Sequence, residues 1–329
     1  MRILSRRHIY EKLVRKYDII YIPRFSYPLI PIAKSVGKKV IVHLHDYQPI
    51  SYTAVIMYRE DLDPMNDIRR TLILGFAGGS RIFTTLASAA MTPLTKLIRY
   101  WVNLSDVIIC VSKRHGEIIS NLVPEYRGKI RVIYNPLPPI LNITKKLSPT
   151  PTLLYTGGDN FIKGFHSLLI AIHRILEKGY KMNFILTKNY NSSSLYIVKK
   201  LNAIYGNTID VVGYVSYREV LKLHQQSWAL LFPSIWEEPL PYTVIESMLL
   251  GTLPITSKVG GVPEIVQGTP AEKFMLIPGK AEELISRIED VLSMSVEQLM
   301  DIGMKLRESI VKKFNNEFTI HQFMNVFSL

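Results

Sequence analysis

Cysteine is all but absent. The one example in 329 residues is Cys110, so no disulfide can close within the chain. Its place in the apolar run DVIICVS makes it a small buried hydrophobe rather than a nucleophile. No cleavable leader is expected, because MRILSRRHIYEKLVRKYD is charged throughout, and a cytoplasmic location is expected with it. No apolar run spans a membrane: between about Thr71 and Val102, Arg81 interrupts the hydrophobic text and Gly78 and Gly79 break it. The composition, 20% charged and 47% hydrophobic, excludes a disordered chain. No nucleic-acid signature stands out and the basic residues are scattered, so nucleic acid is not expected as a partner.

What is present is material for two cores. A length of 329 residues exceeds the usual single-core size. Apolar strand patterns alternate with helical ones, which indicates parallel sheets. DIIYIP, KKVIVHLHD, DVIICVS and IRVIYN belong to the first half. TLLYTGG, MNFILTKN, DVVGYV, ALLFPS, TLPITS and KFMLIP belong to the second. Between them NPLPPILNITKKLSPTPT is rich in Pro and polar residues and reads as a linker. The expected division is 1–140, a linker at 141–151, a second domain over 152–308, and a terminal helical segment over 309–329 crossing back to the first. The net charge of +13 suits an anionic membrane face or a negatively charged substrate.

The chemistry is densest in IWEEPLPYTVIESMLLG. Pro239 and Pro241 break the chain after Glu238, a helix is predicted from about Tyr242, and Gly251 stands where it should stop. Glu238 then lies on the loop and Glu246 inside the helix. Amides at Tyr242, Thr243 and Val244 leave an anion-binding helix start between the two carboxylates. Carboxylate, anion hole and carboxylate in series match the layout of a nucleotide sugar. As a lone pair, both glutamates would be better read as solvated helix-end charges.

The surrounding text changes that balance. PSIWEEPLPYTVIESMLLGTLPITSKVGGVPEIV resembles the E-x7-E region of the retaining glycosyltransferases of family four. KKVIVHLHD, DVIICVSKRHGEII, IRVIYNPLP, LLYTGGDNFIKGFHSLLIAI and VVGYVSYREVLKLHQQSWALLFPS follow in that family's order. The resemblance implies an α/β GT-B fold, two Rossmann-like domains whose parallel sheets face a cleft. It implies a hexose moved from a nucleotide diphosphate sugar to a glycan or lipid-linked acceptor with retention of configuration, and neither metal nor other cofactor. By resemblance Glu238 holds sugar hydroxyls, Glu246 the ribose, Lys163 the diphosphate and His45 the reacting sugar. His43 is assigned to the opposite face of its strand, as a structural residue. Gly260 and Gly261, in VGGVPEIV, are expected to line the donor cleft, and Glu264 to complement a helix dipole.

Two departures qualify the resemblance. In the phosphate loop YTGGDNFIKGF the family's Arg is replaced by Gly158. A Lys ammonium about 4 Å from a phosphate contributes on the order of 4 kcal/mol at an effective dielectric of about 20, before desolvation, so the loss is substantial. Gly157 and Gly158 are expected to replace part of it with backbone donors. The first domain also looks abbreviated, with four strand patterns against six and no glycine loop ahead of Asp18; either the chain start is late or the acceptor domain is short. Asp61-Leu62-Asp63 as a metal-binding DxD is disfavoured, since no strand leads into it. The stretch carrying Arg81, Lys96, Arg99 and the aromatics Tyr100 and Trp101 reads either as amphipathic helices at an anionic membrane surface, peripheral to the inner face, or as a cover for the first sheet. A nucleotide-sugar epimerase of similar fold and a non-catalytic membrane-surface binding protein are the alternative functions.

Overall fold

The structure is a computed structural model describing residues 2–60, 64–74, 81–139 and 144–328. Asp61-Leu62-Asp63, Gly78 and Gly79 fall outside it. Ten strands form two sheets, and every pairing among the described residues is parallel. The first sheet contains β1 (Ile19–Ile22), β2 (Lys39–Leu44), β3 (Val107–Cys110) and β4 (Ile130–Val132), side by side in chain order. The second contains β5 (Thr152–Tyr155), β6 (Asn183–Thr187), β7 (Ile209–Gly213), β8 (Ala229–Phe232), β9 (Leu253–Ser257) and β10 (Met275–Leu276). Its order is β10-β9-β8-β5-β6-β7. Each strand lies within an apolar segment picked out above, save that β7 begins one residue before DVVGYV, at Ile209, because strands covered on both faces read as nearly continuous hydrophobic runs.

The two sheet orders have different consequences. From β5 the chain first moves outward through β6 and β7, then returns to place β8 on the other flank of β5. That reversal creates a switch point between β5 and β8, where open parallel sheets take their ligands beyond the carboxyl ends of the strands. The first sheet, in simple chain order, has no reversal among its described strands.

By contact, the chain divides into one unit of Met1–Pro136 with Asn316–Leu329 and a second of Leu137–Asn315. The boundaries thus differ from those expected at 140 and 309. Described residues of the 141–151 stretch are part of the second unit: Lys146 N donates to Gln225 O at 3.2 Å and Ser148 N to Gln226 O at 2.9 Å. Lys145 Nζ donates to the carbonyls of His224 and Ser227, at the end of the helix Tyr217–Gln226, and to Thr252 Oγ1 at 2.7 Å. The lysine thus supplements the backbone bonds that cap this helix end, where Ser227 N donates to His224 O at 3.2 Å, and burial pulls the Lys145 pKa down to about 7. The terminal stretch is two helices. Val296–Lys313 lies in the second unit, and Asn316–Ser328 lays Phe323, Val326 and Phe327 on Ile41, Val107, Ile109 and Ile133 of the first. Lys39 Nζ donates to Val326 O at 2.9 Å and fixes that helix end.

No helix among the described residues is long and apolar enough to cross a membrane. The basic stretch expected to be amphipathic forms the helices Pro64–Leu74 and Arg81–Asn103. Tyr100 is 61% exposed, but the adjacent Trp101 is only 8% exposed. Adjacent residues on a helix point about 100° apart, so only one of the two faces outward.

The helix carrying Glu246 (Tyr242–Leu249) ends at Gly251, φ +70°, which approaches the helix Val296–Lys313 at Gly303. A Cβ on Gly303 would lie 2.5 Å from the Gly251 carbonyl oxygen. Gly303→Ala gains about 1 kcal/mol of helix propensity, but contact with backbone cannot be relieved by a rotamer. The expected net outcome is a loss of about 1–2 kcal/mol, read as a lowered Tm. An unchanged or raised Tm would show that the helices separate freely.

Candidate functional site

The carboxyl ends of β5, β6 and β8 converge on a pocket lined by Gly157, Lys163, Lys188, Glu238, Tyr242 and Thr243, among others. Two loops build it, and their sequence dictates that they meet. After β5, Asn160 caps a short 3-10 turn, Phe161–Lys163, by accepting from Ile162 N at 3.1 Å. Gly164 follows at φ +77°, so close to the segment after β8 that a Cβ would lie 1.9 Å from Pro233 O. Ile235 N donates to Ile162 O at 2.9 Å and joins the two loops. That contact delivers Lys163 to Glu238, where Nζ reaches Oε1 at 2.7 Å and Oε2 at 2.6 Å. The side chains keep 23% and 14% of their exposure, a half-shielded pair open to a ligand. Trp236 lies 5.2 Å from the same ammonium, within cation–π range.

Glu237 and Glu238 are neighbours with opposite tasks. Glu237, 2% exposed, turns inward and accepts Gly260 N at 2.7 Å. Glu238 turns into the pocket while its carbonyl accepts Gly261 N at 2.9 Å. Gly260 and Gly261, expected above to line the donor cleft, are not among the residues lining this pocket: both amides hold the 237–238 turn behind it. Gly260, φ +46°, permits an approach at which a Cβ would lie 1.8 Å from Glu238 O. The sequence gives no direct sign of Glu237's role, since either of two adjacent glutamates could face the ligand.

The helix start needs a second correction. Tyr242 begins the helix as expected, but Val244 N donates to Pro241 O at 3.2 Å and so leaves the anion-binding set. Thr243 holds its place through its hydroxyl, 3.1 Å from that of Thr156. Glu246 lies further along, accepting from Tyr217 OH at 2.9 Å. Burial raises its carboxyl above the usual range, opposed by the Tyr217 hydrogen bond. In the phosphate loop, Gly157 lines the pocket, and a Cβ there would sit 2.3 Å from the Tyr155 hydroxyl, so a side chain would have to displace that buried ring.

The first unit has its own polar cluster beyond β2. His45 lies just past the strand, its pKa lowered by burial and by Arg24. The His43 ring is not on the opposite face: its centroid is 4.1 Å from that of His45, because residues two apart along an extended chain share a face. Its Nδ1 is 2.6 Å from Tyr21 OH, and Nε2 has no hydrogen-bond partner among the described residues. Burial depresses its pKa to about 3. Asp46, buried, accepts from Arg24 Nε at 3.0 Å and from Gln48 N at 3.0 Å, and its carbonyl lies 3.2 Å from His115 Nε2. His115 is fully buried, with a pKa also near 3 from burial.

Residues 140–313 match the model of the family described as glycosyl transferases group 1. This chain belongs to that family. Among the relatives of this group 1 chain, Spore coat protein SA of Bacillus subtilis is 24% identical over 67% of this chain and 64% of its own length. An uncharacterised glycosyltransferase of Methanocaldococcus jannaschii is 23% identical over 70% and 61%. The match thus spans less than two thirds of these relatives. Anabaena HepE in complex with UDP and glucose superposes with a TM-score of 0.67 at 17% identity, covering 98% of this chain and 81% of HepE. Sucrose-phosphate synthase of Thermosynechococcus elongatus superposes with 0.68 at 17% identity, over 98% and 79%. The fold of this group 1 chain is accordingly α/β GT-B, with a parallel sheet in each of two Rossmann-like domains.

Gly260 lies against the backbone of the 237–238 turn, so a methyl there is far worse than one on a glycine of similar conformation in open space. Gly268, φ +73°, has nothing within 4 Å of a built Cβ. Gly268→Ala should cost about 1 kcal/mol from φ alone, and Gly260→Ala about 2–4 kcal/mol from φ and overlap together. Thermal unfolding of both variants checks this; equal losses would show that the 237–238 turn yields at no cost.

Proposed function

We propose that the chain moves a hexose from a nucleotide diphosphate sugar to a glycan or lipid-linked acceptor, with retention at the anomeric carbon. The observation that carries the reading is the bidentate Lys163–Glu238 pair at the β5/β8 switch point, beside the start of the helix holding Glu246. A ligand with a diphosphate and hydroxyls on either side meets a cation, a helix start and two carboxylates in a matching series. HepE, of the same fold, has structures with UDP and with UDP-glucose, which supports such a donor here.

In this reading Lys163 neutralises the charge that grows on the departing diphosphate. Glu238 holds hydroxyls of the transferred sugar, His45 contacts that sugar, and Glu246 grips the ribose. The bond from the anomeric carbon to the diphosphate oxygen breaks. The acceptor oxygen attacks on the same face, and its proton passes to the leaving oxygen. Incubation with a panel of nucleotide sugars tests the function: transfer or slow hydrolysis to the nucleoside diphosphate supports it. An epimerised donor, or binding without turnover, rejects it.

The two carboxylates should fail differently. A charge-assisted hydrogen bond is worth about 1.5–3 kcal/mol. Glu246→Gln, far from the reacting bond, should raise donor KM about tenfold or more with little change in kcat. Glu238→Gln should lower kcat while leaving affinity for the nucleoside diphosphate near wild type. Because the Glu246 carboxyl is raised by burial, it takes up its proton sooner on acidification than an ordinary carboxylate. Donor KM should therefore rise as pH falls toward the carboxylate range, and Glu246→Gln should flatten that dependence. Kinetics across pH with calorimetry on the nucleoside diphosphate checks the assignment; equal loss of nucleotide affinity in both variants rejects it.

We further propose that the helix Arg81–Asn103 rests on an anionic membrane face. Leu86, Leu94, Leu97 and Tyr100 are exposed along it, with Lys96 beside them. Co-sedimentation with anionic vesicles, weakening with salt, is expected. Equal binding to neutral and anionic vesicles, or none to either, leaves the helix as a cover for its sheet.

A further inference from the structure

No motif surrounds Lys188 in the sequence, and its backbone is the first thing that sets it apart. It follows β6 directly and adopts φ +73°, a conformation that is uncommon outside glycine and carries strain for a lysine. Several contacts impose this shape. Lys188 N donates to Gly213 O at 2.6 Å. Three residues on, Asn191 N donates to Asp159 Oδ2 at 2.7 Å, tying this loop to the phosphate loop, and the Asn191 side chain caps the helix Ser192–Tyr205 through Ser194 N at 2.9 Å.

The second reason is what the strained backbone delivers. The lysine stem runs past Gly158: a Cβ built there would touch Lys188 Cβ at 3.5 Å and Cδ at 3.7 Å. Lys188 and Lys163 line the same pocket as Glu238. Burial, then the charge of Lys163, lowers the Lys188 pKa, with Glu238 opposing. Two ammonium groups in mutual repulsion, with one carboxylate already held by Lys163 at both oxygens, leave positive charge for an anion to take up.

We infer that Lys188 is a second diphosphate-binding cation, filling from the neighbouring loop the place that Gly158 leaves without a side chain. The inference rests on the donor reading above and deepens it. Gly158 and Lys188 act as a pair: the glycine, itself at φ +67°, yields the space that the lysine stem crosses. The pocket thus keeps two cations while the chain carrying one of them has moved.

Strain and binding give opposite signatures in one substitution. Lys188→Gly suits φ +73° and should raise the Tm, yet it removes the cation. Calorimetry would use UDP, GDP and ADP, uridine as a probe without phosphate, and inorganic pyrophosphate as a probe without a base. Lys188→Gly and Lys188→Gln should each weaken the nucleoside diphosphate and pyrophosphate about tenfold. Lys188→Arg should retain most of the affinity, and uridine binding should not change. Wild-type affinity for the diphosphates in both Lys188→Gly and Lys188→Gln overturns this inference and leaves the donor reading standing. If wild type binds none of the nucleoside diphosphates or pyrophosphate, the donor reading falls and this inference falls with it.

Discussion

Backbone that approaches backbone with no room for a Cβ organises the second unit. Gly260 against Glu238, Gly164 against Pro233 and Gly251 against Gly303 are three such contacts, and each fixes a different part of one pocket. The first sets the direction of the 237–238 turn, the second brings Lys163 across, and the third seats the helix bearing Glu246. Charge is arranged only after these contacts are made. A salt bridge between flexible side chains on the surface contributes little, but here both partners are delivered by loops already clamped to one another. The Lys163–Glu238 geometry is therefore a consequence of packing rather than its cause.

Legibility in the sequence followed the same division. All ten strands were visible because a buried parallel strand has to be apolar along its length, and that is a local property. The helix at Tyr242 was visible because two prolines and a glycine mark its ends. The directions of individual groups were not. His43 was assigned to the wrong face although residues two apart on a strand share one. The Val244 amide looked available until the Pro241 carbonyl was seen to lie within reach. Gly260 and Gly261 read in sequence as lining the donor cleft; only the fold shows their amides committed to the turn carrying Glu238.

Glu237 and Lys188 were missed for a deeper reason. Neither has a distinctive neighbour in sequence. The role of Glu237 follows from burial, which separates it from an identical residue beside it. That of Lys188 follows from a positive φ and from a glycine thirty positions earlier in the chain. A motif read along the chain finds Gly158 as a loss, whereas the fold shows a lysine stem lying against the place where that side chain would have been.

The cluster beyond β2 has a different electrical character. His43 and His115, with pKa values near 3, carry no charge at neutral pH, and His45 is shifted in the same direction. Arg24 is already compensated by Asp46. The His43 and His115 rings are both committed inside the protein: His115 Nδ1 accepts from Val111 N at 3.4 Å and its Nε2 lies 3.2 Å from Asp46 O, while His43 Nδ1 lies 2.6 Å from Tyr21 OH. The cluster therefore adds two uncharged, buried imidazoles beside the Arg24–Asp46 pair rather than a second cationic patch.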